Sequence, residues 1–124
     1  MPLRGPFESP FGTRWGRLHA GVDIAVLQTN QVRAADDGVV TAVGYVAEHG
    51  GYGNIVEIRH GPGLVTLYAH LETIQVERGD IVQRGQPIAH AGCTGSCTGP
   101  HLHFEVHVRG VPVDPLGFLP KSVR

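Results

Sequence analysis

The sequence predicts an all-β fold built from short antiparallel strands and tight turns. Eighteen glycines and nine prolines among 124 residues are typical of a chain with many turns. The 22 valines and isoleucines outnumber the 18 leucines and alanines, and β-branched residues favour strands. Residues 101–109 alternate between polar and apolar, whereas no helix of ten residues can be placed on the hydrophobic pattern.

Composition restricts the function classes. The length of 124 residues fits one compact domain. A formal charge of −1 gives no basic excess for binding nucleic acid or anionic membranes. No apolar run approaches the roughly 18 residues of a membrane-spanning helix. Residues 1–6 contain two prolines and a glycine, so we expect any export signal outside this chain.

The first half of the chain is predicted to pass from an irregular arm into strands. Residues 1–18 mix proline, glycine, arginine and aromatic residues without a period, which favours an irregular segment. The Asp-Gly pair within 36–38 predicts a turn, and a strand follows over 39–43. We therefore expect regular structure mainly after residue 18.

The second half is predicted to contain hairpins. Residues 55–60 and 64–70 are separated by Gly-Pro-Gly, three residues that suit a hairpin turn. Residues 79–91 predict two short β segments hinged at Arg84 and Gly85. A loop follows over 92–100, and 101–109 is predicted to be a half-buried strand with its apolar residues facing the core.

The strand over 101–109 carries histidines on its polar face. His101 and His103 share that face about 6.6 Å apart at Cα, so both imidazoles point into one space. An ordinary histidine pair is the favoured interpretation of this motif alone. His107 lies about 13 Å from His103 along the strand, too far for both to bind one metal ion.

Two other motifs are equally ambiguous when taken separately. His19 and Asp23 are four residues apart, which is also typical of a surface pair, and His70 is predicted to lie at a strand end. Together with the histidine pair, they offer two histidines and one aspartate for a catalytic zinc, and further histidines for general base catalysis and oxyanion stabilisation. The combination favours a zinc hydrolase.

Five separated segments strengthen this interpretation. They are His19-x3-Asp23, Gly51-Tyr52-Gly53-Asn54, Tyr68-Ala69-His70-Leu71, Gly79-Asp80-x-Val82-x-x-Gly85-Gln86-x-Ile88-Ala89 and Thr98-Gly99-Pro100-His101-Leu102-His103-Phe104-Glu105. In order and spacing they resemble the LytM-type peptidases of family M23, the lysostaphin-like zinc endopeptidases. The resemblance runs from about residue 11 to residue 119.

The resemblance implies a fold, a site and a substrate. The fold would be an antiparallel β-sheet with a substrate groove, of the duplicated hybrid motif or barrel-sandwich type. One Zn²⁺ per chain would be bound by His19, Asp23 and His103, while His70 and His101 would assist catalysis. The usual substrates of the family are peptide bonds in the cross-bridges or stems of bacterial peptidoglycan.

The domain organisation and location follow from the same resemblance. We expect an arm over 1–18, the metallopeptidase domain over 19–119 and a tail over 120–124, in a protein of the cell envelope, periplasmic or extracellular. The chief alternative is a non-catalytic LytM module that binds cell wall or activates another hydrolase. A structural module of duplicated hairpins without metal is more distant. The oligomeric state stays open.

Several further residues are singled out around this site. Tyr52, Asn54 and Tyr68 are candidate groove residues for substrate binding, although surface packing is an equal alternative. Glu105 shares the histidine face and could hydrogen-bond a zinc-binding imidazole, although a purely structural role is an equal alternative. The remaining histidines are expected to be ordinary residues: His49, His60, His90 and His107.

The two cysteines predict a disulfide beside the site. Cys93 and Cys97 are four residues apart, close enough for the loop to bring their Cα atoms within disulfide range. An enzyme acting on cell wall works outside the reducing cytoplasm, where such a bond persists. Metal-bound thiolates are the rival interpretation, disfavoured because histidine and aspartate already complete the zinc set.

Overall fold

The computed structural model describes seven segments of the chain. They are 7–9, 12–14, 17–19, 22–25, 30–46, 51–95 and 101–114. Side chains are described from residue 30 onward within these segments, except that of His101. The predicted tail over 120–124 and the cysteine at position 97 lie outside them.

The described residues form strands joined by turns. In chain order the strands are β1 (Phe7–Ser9), β2 (Gly12–Arg14), β3 (Arg17–His19), β4 (Val22–Ala25), β5 (Gln31–Arg33), β6 (Gly38–Tyr45), β7 (Asn54–Gly61), β8 (Leu64–Ile74), β9 (Ile81–Val82), β10 (Pro87–Ala91), β11 (His101–Val108) and β12 (Val111–Val113). The prediction of an all-β fold is confirmed. Within the described segments, no helix is long and apolar enough to cross a membrane.

Antiparallel pairing joins most of these strands into one sheet. Its main path runs β1, β4, β11, β8, β7, β6, β9, while β10 pairs with β5 and β8, and β12 pairs with β11. Strands β2 and β3 form a separate two-stranded sheet. Strand β11 therefore lies between β4 and β8, which brings residues distant in sequence to the same part of the sheet.

The hairpin of β7 and β8 supports the centre of the sheet. The predicted turn is confirmed: Gly63 has φ of 73°, a left-handed conformation that glycine adopts without steric cost. The apolar side chains of both strands enter the core, including Val56 and Ile58. Strand β8 then continues to Ile74, so the prediction that it ends at His70 is wrong.

The irregular arm predicted over residues 1–18 is also wrong where the structure describes it. Strands β1, β2 and β3 lie within that segment, and β1 pairs with β4 with a register shift between Phe7 and Ser9. Three-residue strands are too short to show a hydrophobic period, so their sequence carries no signal that distinguishes them from loop. Long-range pairing with β4 explains β1.

The core fills the apolar face of β11. Leu102, Phe104 and Val106 are each at most 1% exposed and pack with residues of β5 to β10. The polar face is buried as well, because His103 and Glu105 are 5% and 2% exposed. The prediction of a half-buried strand is therefore wrong over 103–105, where both faces of the strand are covered.

Candidate active site

Strand pairing brings the predicted site residues towards one another. In register, His103 lies opposite Asp23 of β4 and, on its other side, opposite Ala69 of β8, the residue before His70. Directly opposed residues of antiparallel strands have Cα atoms about 4.5 to 5.5 Å apart. The backbone thus gathers Asp23, His70 and His103 at one place. His101 lies opposite Ala25 at the start of the same pairing.

A buried carboxylate fixes the ring of His103. Nε2 of His103 donates to Oε2 of Glu105 at 2.7 Å. Nε2 of His107 donates to Oε1 of the same carboxylate at 2.5 Å, and the Tyr52 hydroxyl donates to Oε2. Three donors therefore converge on Glu105. The alternation of the strand left a structural role and a bond to an imidazole equally open for Glu105, and the structure contains a bond to His103.

Glu105 remains ionised within this network. Burial alone would raise the pKa of its carboxyl, but hydrogen bonds from His103, His107 and Tyr52 outweigh burial and hold that pKa at about 2. A carboxylate that accepts from Nε2 makes Nδ1 the nitrogen through which His103 can bind a metal ion. This is the arrangement commonly found for metal-binding histidines.

His70 is held in a conformation that is uncommon for a residue with a side chain. Its φ is 62°, in the left-handed region, and it is 6% exposed. Nδ1 lies 2.7 Å from the carbonyl oxygen of Thr94. Because a carbonyl only accepts, Nδ1 carries the proton, and in the neutral ring Nε2 bears the lone pair.

The rings of His70, His103 and Tyr52 form one cluster. The centroids of the two imidazoles are 6.2 Å apart. Tyr52 lies 4.9 Å from the ring of His103 and 6.3 Å from that of His70. The half-buried Tyr52 therefore lies beside both histidines.

The loop at 92–95 packs tightly against the turn before β7. A Cβ added at Gly53 would approach the carbonyl carbon of Thr94 to 2.4 Å, and one added at Gly95 would approach the nitrogen of Gly53 to 2.4 Å. Both glycines also have positive φ, 64° and 75°. Only glycine at these positions permits this close packing, which holds the Thr94 carbonyl within hydrogen-bond distance of His70.

The candidate zinc ligands divide between described and undescribed side chains. The backbone positions of His19 and Asp23 are described, in β3 and β4, but their side chains lie outside the described part, as does that of His101. Among side chains that are described, no group of three could hold a metal ion. The buried Glu105–His103 pair and the register with Asp23 fit a zinc site.

The three candidate substrate residues have different surroundings. Tyr52 stays a prediction: its ring borders both histidines. Asn54 donates through Nδ2 to the Leu71 carbonyl at 3.2 Å, so its amide bridges β7 and β8, and its contact with substrate stays a prediction. For Tyr68 the prediction is wrong, because the side chain is 0% exposed and its hydroxyl bonds Thr66 and the Ala35 amide inside the core.

Two residues with roles in this network escaped the sequence analysis. His107 was expected to be ordinary, yet it bonds Glu105; the signal was its position two residues further along the same face. Thr94 holds His70 through its backbone carbonyl, and because every residue has a carbonyl, the residue type at position 94 does not predict this contact. His60 and His90 bond Thr66 and Thr73 outside this cluster.

Comparison with known proteins gives a consistent result. A model described as peptidase family M23 matches residues 17–115. The chain is 48% identical over 116 residues to the DD-carboxypeptidase/endopeptidase Mpg of Neisseria meningitidis, covering 88% of this chain and 26% of that protein. It is 46% identical over 98 residues to the peptidoglycan DD-endopeptidase ShyB of Vibrio cholerae, covering 79% of this chain and 22% of that protein.

A solved structure shares the fold. The crystal structure of a zinc containing peptidase from Vibrio cholerae matches with a TM-score of 0.82 at 41% identity, covering 91% of this chain and 37% of that one. The present chain spans about a quarter of the length of the Neisseria and Vibrio relatives. The match therefore concerns one part of those longer proteins.

Proposed function

The chain belongs to peptidase family M23, and from that premise we propose that it is a zinc-dependent endopeptidase hydrolysing peptide bonds of bacterial peptidoglycan. One observation carries the proposal: the ring centroids of two buried histidines, His70 and His103, lie 6.2 Å apart. Nδ1 of His70 is held by the carbonyl of Thr94, and Nε2 of His103 by the carboxylate of Glu105. The names of the relatives, a carboxypeptidase/endopeptidase and a peptidoglycan endopeptidase, support the substrate class.

One Zn²⁺ per chain would be held by His19, Asp23 and His103. Support comes from the register that opposes His103 to Asp23 and from the carboxylate that engages Nε2 of His103. When bound, the ion supplies a Lewis acid that polarises the scissile carbonyl and lowers the pKa of a water molecule. Glu105 then keeps the ring of His103 oriented and adds negative charge behind it.

The two other histidines would handle protons and charge. Because Nδ1 of His70 donates to Thr94, Nε2 is the basic atom of the ring. We assign Nε2 the role of general base, which takes the proton from the attacking water. His101, two residues before His103 in β11, would then donate to the developing oxyanion. Tyr52 borders both rings and would limit access of bulk water to them.

A disulfide between Cys93 and Cys97 is part of the proposal. In the described part of the chain no cysteine is free, which supports pairing of Cys93. The bond would close a short loop that includes Thr94, the residue that accepts from His70. It requires an oxidising compartment, in agreement with a location in the cell envelope, where peptidoglycan lies.

The function is tested on purified peptidoglycans of different cross-bridge chemistry. Zinc-loaded protein is incubated with walls carrying glycine bridges and with walls carrying direct D-alanine cross-links, and released fragments are identified by mass spectrometry. We expect new amino termini from one wall type, at least about 10²-fold fewer with His70→Ala, and no change with His90→Ala. Wall binding without release by the wild type would support the non-catalytic alternative and contradict the proposal.

The disulfide is tested separately by intact mass. Under non-reducing conditions the protein should be two hydrogens lighter than after reduction. Two free thiols in the natively folded, air-oxidised protein would contradict the pairing.

A further inference from the structure

The geometry points to Thr94 as a positioning residue that fixes the tautomer and orientation of His70. This inference rests on the proposed function for its catalytic meaning. The hydrogen bonds themselves are independent of the proposed function, because they join residues that the structure describes.

Thr94 forms three hydrogen bonds with residues of two neighbouring strands, β7 and β8. Its hydroxyl donates to the carbonyl of Leu71 at 2.8 Å and accepts from the amide of Asn54 at 3.1 Å. Its own carbonyl accepts from Nδ1 of His70 at 2.7 Å. The side chain thus ties residue 94 to β7 and β8, and the backbone of the same residue holds the imidazole.

The backbone around His70 depends on the same loop. The amide of Gly92 donates to the carbonyl of His70 at 3.0 Å. The carbonyl of the next residue in sequence, Leu71, accepts from the Thr94 hydroxyl. A residue with φ of 62° is held there only by its surroundings. The loop at 92–95 is therefore a clamp on both the backbone and the ring of His70.

The consequence is chemical as well as structural. A ring whose Nδ1–H is committed to a carbonyl presents a basic Nε2, as a general base requires. Without the hydroxyl, residue 94 loses its hydrogen bonds to the Leu71 carbonyl and the Asn54 amide, and its own carbonyl can rotate away from Nδ1 of His70. His70 would then sample both tautomers and other ring orientations, which lowers the rate of proton transfer and leaves substrate affinity unchanged.

Three substitutions separate the hydroxyl from the volume of the side chain. Thr94→Val keeps the shape and removes the hydroxyl, Thr94→Ser keeps the hydroxyl, and Thr94→Ala is used if the valine variant does not fold. Thr73→Val is the matched control, since Thr73 also bonds an imidazole, that of His90, at 2.8 Å. Zinc content is measured for each protein.

The primary readout is the tautomer of His70, from long-range ¹H–¹⁵N spectra of the zinc-loaded protein. We expect an Nδ1–H tautomer in the wild type, Thr94→Ser and Thr73→Val, and mixed tautomers in Thr94→Val. In hydrolysis assays kcat of Thr94→Val should fall roughly tenfold with KM and zinc content unchanged, and Thr94→Ser should restore it.

The outcomes distinguish this inference from the proposed function. An inactive wild type with a fixed Nδ1–H tautomer that Thr94→Val disturbs overturns the function and supports the positioning role. An active wild type whose His70 tautomer and kcat are both unaffected by Thr94→Val overturns the positioning role. A loss of kcat that Thr94→Ser does not restore also overturns it.

Discussion

Neighbouring residues of strand β11 point to opposite faces of the sheet, and both faces are buried. On one face Leu102 and Phe104 are 0% and 1% exposed within the apolar core. On the other, His103 and Glu105 are 5% and 2% exposed and lie among polar groups. The first face is stabilised by exclusion of water, whereas the second is buried at the cost of desolvating a carboxylate.

The difference shows what each kind of burial demands. Apolar side chains need only volume and proximity, so several packings of similar volume would serve. The carboxylate of Glu105 needs every donor in place: His103, His107 and Tyr52 all bond it. Among the described side chains, no buried polar atom is left without a hydrogen-bond partner. The polar face is consequently ordered enough to present His103 in one orientation.

The largest expected effect on stability comes from the apolar face. Phe104→Ala should lower the free energy of unfolding by about 3 to 5 kcal/mol, because it removes a buried ring and leaves a cavity. Val108→Ala, on the same strand but 37% exposed, is the control and should lose much less. Urea denaturation measures both. Equal losses would mean that the burial of Phe104 does not govern stability.

A smaller loss is expected from the polar face. Glu105→Gln should destabilise the protein by about 2 to 3 kcal/mol at neutral pH, since charge-assisted hydrogen bonds from two imidazoles are weakened. Glu72→Gln, an exposed position on β8, is the control. The same urea series applies. An unchanged stability of Glu105→Gln would show that the network contributes nothing to the fold.

The polar face should also make stability depend on pH. The folded pKa of Glu105, about 2, lies below its ordinary value of 4.5. Its contribution to stability is therefore complete above about pH 4.5 and is lost as pH falls towards 2. Melting temperatures between pH 5 and pH 2.5 should fall more steeply in the wild type than in Glu105→Gln. Parallel curves would contradict the assignment.

The smallest effect is expected at a polar group inside the apolar core. Burial raises the pKa of Tyr68 to about 12, and its hydroxyl accepts from the Ala35 amide at 3.0 Å. Tyr68→Phe should cost about 1 to 2 kcal/mol of stability. Tyr45→Phe, 66% exposed, should cost nothing measurable. Hydrolysis by Tyr68→Phe should equal that of the wild type, and a raised KM would restore its predicted substrate contact.

Much of the sheet was predictable because its signals are local. The Gly-Pro-Gly turn and the runs on either side fix the β7–β8 hairpin, and alternation fixes the faces of β11. Strand β1 was missed because its partner β4 is distant in sequence. Tyr68 was misplaced because alternation shows which residues share a face but not whether a second layer covers that face.

The site was predictable only in part. Residue types and motif order indicated His70, His101 and His103, and position on the strand indicated Glu105. The acceptor for His70 is a backbone carbonyl, that of Thr94, which any residue at position 94 would possess. Tyr52 bonds Glu105 across a long stretch of sequence, a tertiary contact that residue types and local patterns do not show.

Zinc content of folded variants at two adjacent positions tests the contrast between the faces of β11 most directly. His103 and Phe104 are neighbours in sequence with side chains on opposite faces. Elemental analysis of purified, folded protein should find one zinc per chain in the wild type and in Phe104→Leu, and far less than one in His103→Ala. Stoichiometric zinc in His103→Ala, or its loss in folded Phe104→Leu, would contradict the account.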